Sequence, residues 1–416
     1  MKFNSYNISE EIKRNLEGMG FKKPTDIQYK CIPPILRRED VLAIAQTGTG
    51  KTAAFAIPVL SVLNENKRNR SADGVKCLVM APTHELALQI SEVFSQLERH
   101  TKVSSACIYG GIDQAPQIQK LQAGVDVLIA TPGRLFDLVS QKHLDLTRIE
   151  ILILDEADKM LDLGFYKDIR QLIHHLPKKR QTLFFSATIN EEIKDLAYSL
   201  VDKPIRIQLS PKDPVSKNVD HSVAYIAMDD KRFFLERLAK EDDTRKILVF
   251  VRTKVRAERV LAAMDRVGVK SLTLHGDKDQ KEREEALNAF KKGEIKLLIT
   301  TDVSARGIDI PGINMVINYD LPDVAENYVH RVGRTGRGMS KGIAVSFCSP
   351  EEKEMLNEIE TYITKPVKVL DIDKQSYTET IDFSEDKTTD LKSLMEEIEF
   401  LEDKHKKSKK SKNKKK

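Results

Sequence analysis

Tryptophan is absent from this chain, and aromatic residues of every kind make up only 6% of it. Proteins that hold a single nucleic-acid strand by its bases use aromatic platforms for stacking, so this scarcity favours backbone contacts for any nucleic-acid partner. Cysteine is also scarce. Cys31, Cys77, Cys107 and Cys348 stand at no zinc-ligand spacing, which leaves reduced, structural thiols as the expectation. No uninterrupted apolar run approaches the roughly 18 residues of a membrane span. The opening MKFNSYNISEE has no apolar core for a secretory signal. A soluble, cytoplasmic protein without a membrane partner is expected. An excess of one charge is lacking too: 68 Lys and Arg against 63 Asp and Glu leave +5, much of it at the C-terminus, so net charge alone reveals no nucleic-acid partner.

What is present is length and pattern. A chain of 416 residues exceeds one ordinary core, so two domains and a tail are the natural division. Over residues 1–208 apolar strand patterns such as VLAIA, CLVMAPT, VDVLIATPGR, IEILILDEAD and QTLFFSAT alternate with helical ones. Near-continuous apolar strands separated by helices predict an α/β fold: a parallel sheet with helices on both faces. In such a sheet the turns after the strands gather along one edge, where ligands bind. Residues 209–219 carry two prolines and several charges without periodicity and read as a linker. The alternation resumes over 220–370 with KILVFV, SLTLHG, KLLITTD, MVINYD and IAVSF, a second parallel sheet without a phosphate turn of its own. Residues 371–416 differ. An acidic stretch holds a candidate helix with Leu391, Leu394, Met395, Ile398 and Leu401 on one stripe, suited either to a partner or to the parent domain. The last thirteen residues include nine lysines and are expected to be disordered, serving as an RNA tether or as a solubilising tail.

Two stretches carry chemistry. AQTGTGKT (Ala45–Thr52) is a glycine-rich turn after an apolar strand. Such a turn aims backbone N–H groups at a phosphate chain, its lysine adds positive charge, and the following hydroxyl can ligate magnesium. Ala45, Gln46, Thr47, Gly48, Thr49, Gly50, Lys51 and Thr52 are therefore the candidate triphosphate site. LILDEAD (Leu152–Asp158) is an apolar strand ending in adjacent carboxylates. Asp155 can hold the magnesium that Thr52 shares, and Glu156 can orient an attacking water. Either stretch alone is commonplace; both in this order point to a magnesium-dependent nucleoside triphosphatase.

With these blocks in order, roughly residues 3–350 resemble the DEAD-box ATP-dependent RNA helicases, and the second half with its basic tail is most similar to the bacterial RhlE type. The resemblance implies two tandem RecA-like domains that share one ATP site. FKKPTDIQ matches the adenine-reading segment: Phe21 would stack on the base, Phe3 is a further aromatic position, and the Gln28 amide offers the donor and acceptor that fit adenine rather than guanine. SAT (Ser186–Thr188) would couple ATP state to strand separation, with Ser186 and Thr188 hydrogen-bonded to Asp158. From HRVGRTGR, Arg334 and Arg337 would be arginine fingers on the γ-phosphate. His330 would connect to the acidic and SAT motifs, and Arg331 belongs to the same coupling set. ARGID would bring Gly307 and Asp309 to the nucleotide.

The resemblance also implies a sequence-tolerant RNA face. Domain 1 would offer Pro82, Thr83, His84, Gly110, Gly111, Thr131, Pro132, Gly133 and Arg134; domain 2 would offer Arg252, Thr253, Gly276, Gln280, Arg283, Thr301 and Asp302. Hydroxyls, amides, glycines and arginines suit phosphate and ribose contacts. PTHELA departs from the family's PTRELA at His84, where a neutral ring replaces a two-pronged cation. The implied activity is RNA-stimulated ATP hydrolysis that unwinds short RNA duplexes or remodels RNA–protein complexes, by a monomer acting on ribosomal precursors or with RNA-decay proteins. An ATP-gated clamp and a DNA-translocating motor are the alternatives. Intact Glu156, Arg334 and Arg337 weigh against the clamp, and FKKPTDIQ with the DEAD tetrad weighs against the motor.

Overall fold

The computed structural model describes residues 2–45, 48–67, 74–209, 215–242, 244–305, 310, 312–336 and 341–384. Short apolar runs become strands, and the central ones are buried on both faces. In the first half these are Val41–Ile44 (β1), Cys77–Met80 (β2), Ser105–Ile108 (β3), Val127–Ala130 (β4), Ile151–Leu154 (β5), Gln181–Ser186 (β6) and Ile205–Gln208 (β7). In the second they are Val219–Tyr225 (β8), Ile247–Phe250 (β9), Ser271–Leu274 (β10), Leu297–Thr300 (β11), Met315–Asn318 (β12), Gly342–Cys348 (β13) and Lys368–Val369 (β14). They form two seven-stranded parallel sheets, ordered β3-β4-β2-β5-β6-β1-β7 and β10-β11-β9-β12-β13-β8-β14. The fold is α/β with two tandem RecA-like domains.

Strand alternation feeds two cores per sheet. Val41, Ala43, Ile151, Ile153, Leu183 and Phe185 face one helical layer, while Leu42, Ile44, Leu152, Leu154 and Phe184 face the other. The second sheet repeats this with Leu248, Phe250 and Val316 opposite Ile247, Val249 and Ile317. Among the described residues no core cluster mixes the halves. Within the 209–219 stretch, Leu209 packs on the first core and Val215 is buried in the second.

Beyond Leu370, where the sequence placed the end of the domain, the chain adds the helix Lys374–Phe383. It docks on the helix Lys231–Glu241: the Tyr377 hydroxyl donates to Asp230 at 2.8 Å and its ring lies 5.0 Å from Phe234. The Leu391–Leu401 stripe and the lysine run lie outside the described residues.

Domain 2 also buries charge. Lys231, fully buried, donates to Glu352 at 2.5 Å and to the Tyr319 carbonyl at 2.7 Å. Lys231→Ala leaves Glu352 buried without this partner, so we expect about 3–5 kcal/mol of lost stability, read as a lower urea midpoint. An unchanged midpoint would mean that the pair contributes nothing net.

Candidate functional site

Strand order turns motifs scattered through the sequence into two clusters on each sheet edge. In domain 1 the phosphate turn follows β1, SAT ends β6 and DEAD follows β5; these three strands are adjacent. PTHEL follows β2, the Gly110–Gly111 turn follows β3, and TPGR follows β4, which are adjacent on the other half of the same edge. Domain 2 repeats the division: Arg252–Thr253, Gly276 and Thr301–Asp302 follow the neighbouring strands β9, β10 and β11. Parallel strands, all ending at one edge, are what make this sorting possible.

The phosphate turn is built for backbone N–H display. Gly48 and Gly50 adopt φ of 80° and 90°, and a Cβ on Gly50 would stand 2.7 Å from the Gln28 amide, so only glycine fits. Gln28 is braced at both ends: its oxygen accepts from Thr25 N at 3.0 Å and its nitrogen donates to the Gly50 carbonyl at 3.2 Å. The Thr25 hydroxyl donates to the Thr49 carbonyl at 2.8 Å. The FKKPTDIQ segment is thus tied to the turn. Phe21 is half-buried against the first core, edge-on to Phe3 at 6.0 Å.

Lys51 starts the helix Lys51–Asn66, and its buried Nζ has no hydrogen-bond partner among the described residues. An unsatisfied buried ammonium is costly unless an anion joins it. Asp155 follows β5, is 2% exposed, and accepts from the Glu156 N–H at 3.0 Å. Burial pushes its carboxyl up to about 6 even though Lys51 opposes the shift. The Asp155 carboxylate and the Thr52 hydroxyl are hard-oxygen donors of the kind that magnesium takes.

Glu156 caps the short helix Ala157–Asp162 in a left-handed conformation, φ 51° and ψ 50°, uncommon for a non-glycine residue. Burial raises its carboxyl, but Lys159, Lys51 and Arg334 together outweigh that and hold it at about 2. Arg334 comes from domain 2, so the charge of that domain reaches this carboxylate. Arg334 is buried and donates to the His330 carbonyl at 3.1 Å. Burial first, then Lys159 and Arg334, keeps the His330 imidazole neutral, well below its usual range.

The coupling residues depart in one respect from expectation. Asp158 accepts from Ala187 N at 3.1 Å, Thr188 N at 3.2 Å and the Thr188 hydroxyl at 3.3 Å. Ser186 does not join them: its hydroxyl is buried without a hydrogen-bond partner among the described residues. Ser186 is the last residue of β6, whereas the chain turns toward Asp158 just after it. Arg331 is 1% exposed and grips Asp302 through two bonds of 2.6 and 2.7 Å, also donating to the Asp320 carbonyl.

Several residues expected on RNA are already engaged. Asp302 holds Arg331, and Arg134 donates to the Ile112 carbonyl at 2.7 Å, bracing the Gly110–Gly111 turn. Thr83, Thr131 and Thr253 stand as helix N-caps, with Pro132 and Gly133 opening the helix after Thr131. Arg252 lies within 3.5 Å of Asp323 and Glu352. Across the seam His84 meets Gln280 at 3.3 Å, and Arg283 donates to Glu85 at 3.0 Å. Gly276 and Gly111 are exposed, and Pro82 is buried at the end of β2.

Comparison with known proteins decides the family. Residues 25–196 match the DEAD/DEAH box helicase model and residues 230–339 the helicase conserved C-terminal domain. The chain is 39% identical over 379 residues to ATP-dependent RNA helicase RhlB of Shewanella amazonensis, covering 90% of this chain and 86% of that one. The chain belongs to the DEAD-box RNA helicase family. This helicase is also 38% identical to DEAD-box ATP-dependent RNA helicase RhpA of Helicobacter pylori, over 89% of this chain and 74% of the relative. Among solved structures it is similar to Saccharomyces cerevisiae Dbp5 bound to RNA and ADP–BeF3, with TM-score 0.80, 31% identity, and 91% and 98% of the two chains covered. The RhlB and RhpA names do not single out the RhlE type.

Gln46, Thr47, Gly307, Asp309 and Arg337 lie outside the residues that the structure describes in this helicase. Two functional neighbours escaped the sequence reading. Lys159 contacts Glu156 at 3.0 Å; its place three residues along the chain from that carboxylate was a usable signal. Glu85 holds Arg283 from 198 residues away, a pairing with no local signature. No helix among the described residues is long and apolar enough to cross a membrane. The helicase couples RNA-dependent ATP hydrolysis to duplex separation.

Proposed function

We propose that ATP is hydrolysed in the cleft where the ends of β1, β5 and β6 face the Ala325–Val332 helix of domain 2, and that RNA backbone crosses the other half of both sheet edges. The observation that carries this reading is the buried Glu156 carboxylate, held by Lys159 at 3.0 Å and lying in the field of Lys51 from its own domain and Arg334 from the other. Phe21 and Gln28 select adenine. The Gly48–Thr52 turn and Lys51 receive the β- and γ-phosphates. Thr52 and Asp155 would hold a magnesium ion, which would supply positive charge against the phosphate oxygens. Glu156 orients the water, and Arg334 with Arg337 supports charge developing on the γ-phosphate. Gly307 and Asp309 complete the nucleotide site. His330, kept neutral, passes the state of the site to Asp158 and the SAT turn. The work is local unwinding of short duplexes or remodelling of RNA–protein complexes, carried out by a cytoplasmic monomer on ribosomal precursors or beside RNA-decay proteins. Multiple-turnover ATPase assays with RNA, DNA or neither test it. RNA alone should stimulate; equal stimulation by DNA would favour a translocating motor, and a single turnover a clamp.

His84 tunes RNA grip in this proposal. Its ring stacks toward Tyr109 at 5.3 Å and faces Gln280 rather than presenting a cationic fork. His84→Arg adds a phosphate contact and should tighten RNA binding, steepening the log–log salt slope by about 0.7. Equal affinity at every salt concentration would remove the idea.

A further inference from the structure

We propose that Lys159 is the positioning residue that fixes the Glu156 carboxylate in the ATP cleft. Lys159 Nζ lies 3.0 Å from Glu156 Oε2, and the two side chains are 2% and 5% exposed. The pair spans i to i+3 at the start of one short helix, so it forms within domain 1 and does not wait for domain 2. That helix is itself anchored: Asp158, between the two, is bound to the Ala187 and Thr188 N–H groups.

Three features give the contact a role beyond packing. First, burying a lysine ammonium is expensive, and an apolar side chain of similar volume is often neutral or stabilising in its place; stability alone does not explain a lysine here. Second, a carboxylate has two oxygens, and Lys159 occupies Oε2. Among the described residues no bond occupies Oε1, which is left to accept from a water. Third, the other cations acting on Glu156 are Lys51 and Arg334, and both are assigned to phosphate in the proposed mechanism. When they turn to phosphate, Lys159 is the cation that stays on the carboxylate. It holds a backbone-strained residue, Glu156, in one orientation while the domains open and close around it.

The inference rests on the reading that Glu156 orients the water. Lys159→Met keeps the length of the stem and removes the charge. We expect its kcat to fall at least about tenfold, since a misplacement near 1 Å can cost a hundredfold. KM for ATP, affinity for a fluorescent ATP analogue, and RNA affinity with a non-hydrolysable analogue should stay within about twofold, because none of these needs an oriented water. Lys159→Arg should recover part of kcat. In the Glu156→Gln background, with no carboxylate left to position, Lys159→Met should add no further loss. A purely structural lysine would instead weaken nucleotide and RNA binding together with kcat, and its effect would add in the double variant; either result overturns the inference, as does a kcat within twofold of the parent. Should Lys159→Met not fold, Lys159→Gln, which keeps an N–H donor but no charge, carries the same comparison. If Glu156→Gln itself turns over normally, the reading of Glu156 fails; if it stalls while Lys159→Met does not, only the inference fails.

Discussion

Replacing Glu156 with glutamine should bring turnover down by about 10²–10⁴-fold while leaving the ATP-dependent grip on RNA intact. Glu156 is 4% exposed, faces Lys51 and Arg334, and is held anionic at about 2 by the surrounding cations despite its burial. Glutamine has the same shape, and its amide oxygen can still accept from Lys159, so the left-handed turn at residue 156 and the start of its helix should survive. What disappears is the negative charge that orients a water for attack. A site that binds but does not hydrolyse keeps the closed arrangement, because ATP persists as the link between the halves. Steady-state phosphate release and RNA binding with ATP, measured on one preparation, check this. Turnover near that of the parent would contradict the role given to Glu156.

Arg334→Ala should be equally damaging by a different route. Arg334 belongs to domain 2, beside His330, yet its charge acts on Glu156 and Lys159 of domain 1. An arginine that supports transition-state charge from across a cleft is worth about 10³–10⁵ in rate. Removing it should therefore lower kcat by about 10³ or more, with nucleotide affinity little changed, since Lys51 and the glycine turn lie in domain 1. Arg334→Lys should restore little, because an ammonium cannot reproduce the planar fork. Single-turnover hydrolysis alongside equilibrium binding of a fluorescent ATP analogue separates the two effects. Loss of binding without loss of single-turnover rate would place Arg334 in ground-state recognition instead.

Much of this was legible in the sequence because parallel sheets announce themselves. Strands such as Ile151–Leu154 are buried on both faces and so read as unbroken apolar runs. Gly48 and Gly50 were legible because φ values of 80° and 90° strongly favour glycine. The phosphate turn, DEAD and SAT follow the adjacent strands β1, β5 and β6, which the topology of such sheets allows one to anticipate only in outline. Partners were harder to read than positions. Nothing in the neighbourhood of Arg283 indicates that Glu85 will hold it, or that His84 will meet Gln280, because each contact joins segments nearly two hundred residues apart across a seam. Arg134 and Asp302 read as RNA contacts, yet a nearby carbonyl and Arg331 engage them; exposed-looking polar motifs give no sign of which groups the fold uses internally. The helix Lys374–Phe383 was missed because its apolar signal is weak and its docking rests on one tyrosine and a few hydrogen bonds.

The account stands on an ATP site divided between two domains. Each sheet carries its own cores, and among the described residues no core cluster includes both domains, so residues 1–209 can be prepared as a separate protein and their folding checked by a cooperative melt. The decisive measurement is ATP turnover by that fragment and by the full chain, with and without RNA. The divided site predicts that the fragment binds nucleotide but hydrolyses it at least about 10³-fold more slowly than the RNA-stimulated full chain, with no response to RNA. A fragment that hydrolyses ATP as fast as the full chain, whether or not RNA is present, would contradict it.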